Sequence, residues 1–247
     1  MRNPWILATA STVALAGANE ACAATAYSWT GFYIGVNVGA AGHEATTRDL
    51  NGWGANGLFS PPYVSPWFKS STTTATFGGQ AGYSWQMSYF VVGVEADVNY
   101  VGASQTFVPP NTLATPCGTS CVATATNELT WLATFRGRAG FTVDRILIYG
   151  TAGVAVGQVS NSWGWDSGPP ISDSFSVSET RTGYAAGGGV EAMLTQHVSL
   201  RAEYLHVDLG TSRNTITGAP RFGAPGIFTS EFKNTADIGR VGLSYRW

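Results

Sequence analysis

The chain has 247 residues, of which 11% are charged, 44% are hydrophobic and 31 are glycine, with a formal net charge of −2. So little charge with so much glycine departs from an ordinary soluble domain, and the near-neutral balance excludes a nucleic-acid-binding surface or a polybasic membrane patch. Beyond the N-terminus no window stays apolar for eighteen residues, which excludes a helical membrane span and leaves a closed barrel as the route into a bilayer.

Residues 1–23 read as a cleaved signal peptide for export through the Sec pathway. Arg2 supplies the positive start, Trp5 to Ala18 the short apolar stretch, and Ala21-Cys22-Ala23 the small-residue cleavage site. Asn19 and Glu20 stand where a lipoprotein box wants small or apolar residues, which argues against lipidation at Cys22. Residues 24–247 then form one domain.

Side chains alternate across a strand with period two. Phe32, Ile34, Val36, Val38 and Ala40 alternate with Tyr33, Gly35, Asn37 and Gly39 as the first strand. A second, about 75–87, sets Ala75, Phe77, Ala81, Tyr83, Trp85 and Met87 on one face; a third, about 89–102, sets Phe90, Val92, Val94, Ala96, Val98 and Tyr100 against Glu95, Asp97 and Asn99. The fourth, about 128–141, carries Leu129, Trp131, Ala133, Phe135, Ala139 and Phe141 opposite Thr134, Arg136 and Arg138. In the fifth, about 146–158, Ile146, Ile148, Ala152, Val154 and Val156 form the outward set, which Leu147 and Tyr149 contradict. The sixth, about 180–194, opposes Tyr184, Ala186, Val190, Ala192 and Leu194 to Glu191 and several glycines; the seventh, 198–209, opposes Val198, Leu200, Ala202 and Tyr204 to Arg201 and Glu203. The eighth runs from about 233 to Trp247 and places Arg240 and Arg246 opposite Val241, Leu243 and Tyr245.

Only short turns separate strands 2 and 3, 4 and 5, and 6 and 7, whereas 41–73, 103–127, 159–179 and 210–232 read as long loops. The expected fold is all-β: an eight-stranded antiparallel up-and-down transmembrane β-barrel with short periplasmic turns and long extracellular loops, in the outer membrane of a Gram-negative bacterium. Glu95, Asp97, Arg136, Arg138, Glu191, Arg201, Glu203, Arg240 and Arg246 share the phase opposite the bulky apolar residues. An Arg facing lipid at mid-membrane costs about 2–4 kcal/mol, so these charges are expected in the lumen, most of them as one mixed-sign belt roughly 10 Å thick. A soluble lipocalin-like barrel, with charges outside, is the alternative that this reading opposes. Trp29, Phe32, Trp85, Tyr89, Phe141, Tyr245 and Trp247 near the short turns, and Tyr100, Trp131, Tyr184 and Tyr204 near the long loops, are expected as interface aromatics.

A barrel of eight strands is only just wide enough to be filled by its own side chains, so interlocked Arg and Glu are expected to seal it. A narrow leak for small solutes stays open as an alternative, since Gly183, Gly187 and Gly189 leave inward space. Catalysis is not expected. His197 lies in a turn, His206 has the outward phase near a loop, and His43 begins the first long loop, where it could meet Asp208 or a serine. No cofactor or metal set is assigned. Cys117 and Cys121 are expected to close a small disulfide loop. Trp53, Phe59, Tyr63, Trp67, Phe68, Trp163, Trp165, Phe222 and Phe228 sit in the expected loops, where they either pack the loops together or mark a contact surface for adhesion or ligand binding.

Four stretches carry a resemblance: Tyr27-Ser28-Trp29-Thr30-Gly31-Phe32-Tyr33-Ile34-Gly35, Gly137-Arg138-Ala139-Gly140-Phe141, Tyr149-Gly150-Thr151-Ala152-Gly153-Val154-Ala155 and Val241-Gly242-Leu243-Ser244-Tyr245-Arg246-Trp247. Together they resemble the small outer-membrane immunogenic, porin-family barrels of alphaproteobacteria, within the OmpA-like barrel superfamily. The resemblance implies an outer-membrane location, surface antigenicity and a structural or porin-like role. Some relatives bind haemin, but no residue here matches such a site. Trp247 replaces the family's usual terminal Phe as the aromatic signal read by the barrel-assembly machinery. The expected partners are the outer-membrane bilayer, its lipopolysaccharide and that machinery, with no nucleic acid, for a chain read as a monomer.

Overall fold

The computed structural model describes residues 27–50, 68–107, 122–166, 172–219 and 226–247. Eight strands follow in order: β1 (Gly31–Asp49), β2 (Phe68–Met87), β3 (Phe90–Phe107), β4 (Val122–Val143), β5 (Ile146–Asp166), β6 (Ser172–Met193), β7 (Val198–Ala219) and β8 (Gly226–Arg246). Each pairs antiparallel with its chain neighbours, and β8 closes on β1 to complete the barrel. The paired residues can be followed around the wall from Phe32 through Tyr83, Val94, Gly137, Ala152, Ala186, His206 and Asp237. The path returns to β1 at Gly42, ten residues above its start. That stagger, with strands about 4.8 Å apart, fixes a tilt of about 40° and a climb of about 2.5 Å per residue.

Local chemistry sets the hairpins. Ser88 (φ 60°) and Asp144 (φ 54°) take left-handed conformations in two-residue turns, whose twist matches that of the strands they join. The turn before β7 is tied by Thr195, whose hydroxyl accepts from the amides of His197 and Val198 at 3.2 and 3.0 Å. Two bulges near the top of the apolar wall contain glycines at positive φ, Gly102 (+57°) and Gly210 (+74°), which a side chain would strain.

The wall presents its bulky apolar residues outward. Phe32, Val36, Phe77, Val98, Phe135, Val154, Leu200 and Val241 are each about half or more exposed. A soluble lipocalin-like barrel would bury this set, so that alternative falls. On β5 the outward set stands, and Leu147 and Tyr149 lie inside as lumen residues.

The strands run further than the alternation suggested. They reach Asp49, Phe107, Asp166 and Ala219 going up and begin at Phe68, Val122, Ser172 and Gly226 coming down, so much of each span expected as loop is paired strand. Above the bilayer the outer face meets water, and Ser, Thr, Lys and Glu replace the apolar phase that made the lower strands legible. The backbone ladder continues regardless of that change. Phe68, Trp163, Trp165 and Phe228 therefore belong to strands, whereas Trp53, Phe59, Tyr63, Trp67, Phe222, the Cys117–Cys121 pair and residues 1–23 lie outside the described residues.

Candidate functional site: the lumen

At the short-turn end Trp29, Val91, Leu147, Tyr149 and Met193 form a buried cluster. Trp29, expected at the membrane interface, is instead fully buried inside the barrel. Its phase explains the difference: positions 29, 33 and 37 share the inward face of the chain entering β1. Arg246 donates to the Trp29 carbonyl at 2.6 Å and lies over its ring, 5.3 Å from the centroid. The other named aromatics of this end, Phe32, Trp85, Tyr89, Phe141, Tyr245 and Trp247, point outward, and so do Tyr100, Tyr184 and Tyr204 near the upper edge. Trp131 is half-buried on the outer wall, its indole N–H donating to Gln158 at 2.7 Å.

Above the plug lies a layer of charge. Arg136 reaches three carboxylates: Glu95 at 2.6 Å, Asp97 at 2.8 Å and Glu203 at 2.6 Å. Glu95 also accepts from Arg201 at 2.5 Å and from the Tyr33 hydroxyl at 2.7 Å, with Arg138 at 3.3 Å. Arg138 joins Glu191 at 2.7 Å, and Ser199 donates to the same carboxylate at 2.6 Å. Arg240 bridges Asp97 at 3.0 Å and Glu203 at 3.2 Å. All eight of these charged side chains are nearly without solvent exposure. Counted along the registers, they span about 11 Å of barrel height at about 2.5 Å per residue.

The alternation did not single out Tyr33 and Tyr149, which complete this layer. Arg138 stacks over Tyr149 at 4.0 Å from the ring centroid and over Tyr33 at 5.5 Å. Each phenol occupies space opposite a glycine: a Cβ on Gly189 would lie 2.8 Å from the Tyr149 hydroxyl oxygen, and one on Gly82 would run into that of Tyr33. An aromatic in the lumen phase directly opposite a glycine on the neighbouring strand was the available signal. The inward space read at Gly189 is thus filled by Tyr149.

A second apolar layer closes the lumen above the charges, with Val101, Leu129, Leu132, Val159, Leu205, Leu209 and Ile238 among its buried members. Higher still, in the part of the barrel that rises above the apolar belt, His43, Gln105, Asn127, Asn161, Ser212 and Asn234 line the inside and are buried. Gln105 donates to the His43 carbonyl at 2.8 Å and approaches its Nδ1 at 3.1 Å, and Asn127 donates to Asn161 at 2.5 Å. Six polar atoms of this ring, including His43 Nε2, Gln105 Oε1 and Asn234 Oδ1, have no hydrogen-bond partner among the described residues. Burial pushes the His43 imidazole below its ordinary value, and the nearby Asn234 amide opposes that shift. His43 therefore lies within β1 and does not meet Asp208, which faces outward toward Lys233 at 3.7 Å. An extended strand replaces the loop that would have let the two approach.

The remaining histidines are on the outside. His197 stacks on Tyr245 with centroids 5.8 Å apart. His206 faces Asp237 at 2.8 Å beside the Tyr204 hydroxyl, which donates to the same oxygen at 2.6 Å. On the outer wall above the belt, Arg213 and Arg48 donate to Glu231 and hold its carboxyl below the usual carboxylate range.

The family described as outer membrane protein beta-barrel domain matches residues 11–245. A 22 kDa outer membrane protein of Rhizobium leguminosarum bv. viciae is 32% identical over 193 residues, covering 77% of this chain and 69% of its own. A 31 kDa outer-membrane immunogenic protein of Brucella melitensis is 31% identical over 235 residues, covering 90% and 85%. Among solved structures, the outer membrane protease OmpT of Escherichia coli superposes with a TM-score of 0.54 at 7% identity, covering 90% of this chain and 98% of that one. That likeness is one of fold alone.

Proposed function

The chain belongs to the outer-membrane β-barrel domain family, and from that premise we propose that it is a sealed, non-conducting barrel of the outer membrane that displays its upper end as a surface antigen. One observation carries the reading: three successive lumen layers, an apolar plug around Trp29, the Arg136-centred ion network and the Leu132–Leu205 layer, fill the cross-section. Side chains at interior packing density leave no continuous water column, and a buried ion network with its charges paired is held in one arrangement. The name of the Brucella relative, an immunogenic protein, supports the display role.

Passive passage of small solutes is the reading that this filling opposes. Purified protein reconstituted in planar bilayers is expected to give no conductance above bare lipid. Steady single-channel steps abolished by heat denaturation would overturn the proposal. A catalytic reading gains no support from the histidines, since the described partners of His206 are Asp237 and the Tyr184 ring, with no serine among them. In the same reading residues 1–23 direct Sec export, Trp247 is the terminal aromatic offered to the assembly machinery, and the barrel works as a monomer in the bilayer. Trp247 projects outward at 66% exposure and packs edge-on against Tyr245, centroids 5.2 Å apart.

A further inference from the structure

Above the apolar belt the ladders do not close all the way round. The β2–β3 ladder runs from Met87 with Phe90 up to Phe77 with Tyr100 and, among the described residues, stops there, although β2 extends to Phe68 and β3 to Phe107. The β6–β7 ladder likewise ends at Tyr184 with Asp208, although β6 begins at Ser172 and β7 reaches Ala219. The other ladders continue upward, as β4–β5 does to Val122 with Asp166 and β7–β8 to Ala219 with Gly226. The upper wall is therefore two four-stranded sheets, one of β3 to β6 and one of β7, β8, β1 and β2, which meet at two seams on opposite sides of the barrel. Each seam begins beside a bulge with a left-handed glycine: Gly102 (φ +57°) lies just above Tyr100 and Gly210 (φ +74°) just above Asp208. A strand that bends at such a bulge turns away from its former neighbour.

The polar groups of the upper lumen lie on the two facing inner surfaces. His43, Ser212 and Asn234 belong to one sheet and Gln105, Asn127 and Asn161 to the other, and each is no more than 6% exposed. Gln105 Nε2 crosses between the sheets to donate to the His43 carbonyl at 2.8 Å, so its Oε1 is the end left over, without a partner among the described residues. The same nitrogen approaches His43 Nδ1 at 3.1 Å, which places the imidazole proton on Nε2, also unpartnered. Asn127 spends its Nδ2 on Asn161 and leaves its own Oδ1 and the Asn161 Nδ2 free, and Ser212 Oγ and Asn234 Oδ1 complete the set. Glu179 and Arg181, on the inner side of β6 beside one seam, pair with each other at 3.6 Å, so these two charges cancel.

Such a set calls for a guest that both gives and accepts hydrogen bonds and carries no charge. An apolar guest would leave the amides unpaired, and an ion would lose its water with no counter-charge free to meet it. Hydroxyl groups donate and accept alike. We propose that the space between the two sheets is a binding cleft for a small, neutral, polyhydroxylated molecule of the sugar class, which enters when the seams part at Gly102 and Gly210. Gln105 Oε1 and Asn234 Oδ1 accept from its hydroxyls on opposite walls, and His43 Nε2 and Asn161 Nδ2 donate to them. The Leu132–Leu205 layer is the floor of the cleft, so the site holds a solute and does not pass it on.

The test uses the full mature protein, folded in a detergent without a sugar headgroup and titrated with glucose, galactose and mannose, read by calorimetry and by amide hydrogen exchange. At least one of the three is expected to bind and, at about ten times its dissociation constant, to slow exchange about tenfold along 101–107 and 209–217, which flank the seams. The aldonate and the amino sugar corresponding to the bound sugar are expected to bind about tenfold more weakly, because each brings a charge into the cleft. Gln105→Ala/Asn234→Ala is expected to lose about tenfold in affinity and Ser212→Ala about threefold, whereas Ser160→Ala/Ser178→Ala on the outer wall changes nothing. Unchanged heat-modifiable migration shows that each variant is folded, and Ser212→Ala carries the test if the double variant is not. Binding of the methyl glycoside as tight as that of the sugar assigns the site to the end of a longer glycan, and weaker binding assigns it to a free sugar; either supports the cleft. Absence of binding by all three sugars, equal binding of the charged counterparts, or undiminished binding by the folded lumen variants would overturn the proposal.

Discussion

The charged layer and the polar ring above it both bury hydrogen-bonding groups inside the same cylinder, yet only the charged layer satisfies its acceptors. In the charged layer every carboxylate meets at least two donors, and Arg136 alone ties three strands together through β3 and β7. In the ring His43, Gln105, Asn127, Asn161 and Asn234 make a few contacts and leave six polar atoms unpaired among the described residues. In a lipid-clad section each carboxylate must be compensated, because an unpaired charge there has nowhere to be solvated, and this holds although Nε and Nη2 of Arg201 and Nε of Arg240 find no partner among the described residues. Neutral amides in the section above the bilayer carry a smaller penalty, and the barrel tolerates their incomplete pairing.

This contrast is broken most strongly at Arg136. Arg136→Met leaves Glu95, Asp97 and Glu203 short of a partner and is expected to cost about 3–5 kcal/mol, read as a lower urea midpoint for loss of the heat-modifiable form. An unchanged midpoint would mean that the network is not what holds the cross-section. Gly189→Ala probes the packing of the same layer: the new methyl displaces the Tyr149 ring from Arg138 and is expected to cost about 1–3 kcal/mol. In a Tyr149→Ala background the cost should fall but not vanish, since a Cβ on Gly189 would still lie 2.5 Å from the Ala202 carbonyl oxygen, and an unchanged cost would refute the ring's part in it.

The ring responds to pH instead. The folded-state pKa of His43 is lowered, so the folded barrel prefers neutral imidazole. Its contribution is fully present above the unfolded value of about 6.5 and is lost as pH falls below it. Wild-type thermal stability is expected to decline between pH 7 and pH 5, with His43→Gln showing a shallower slope and, at pH 7, a change under about 1 kcal/mol. Parallel slopes for the two proteins would place the acid sensitivity elsewhere.

The strand pattern was legible where lipid enforced it. From Phe32 to Val38 and from Val241 to Trp247 each residue's face follows from alternation alone, because a misplaced charge on the lipid side is penalised at every position. Trp29 obeys the same rule by its phase, and only its aromatic character pointed to the interface instead. The rule also lost the strands above the bilayer, where water accepts either face. Tyr33 and Tyr149 were hidden for a different reason: nothing local distinguishes a lumen tyrosine that fills a glycine's space from one that faces a membrane headgroup.

Periodicity alone therefore determined the class of fold, the number of strands, the three tight hairpins and the set of charges that share one face, since each is a property of residues near one another in the chain. Which arginine meets which carboxylate was decided by tertiary structure. Arg138 and Tyr33 are 105 positions apart, and Arg240 and Asp97 are 143 apart; they meet only because closure with a ten-residue stagger brings their strands to matching heights. The plug at Trp29 follows from the same closure, because no local pattern encodes a distance measured around a cylinder.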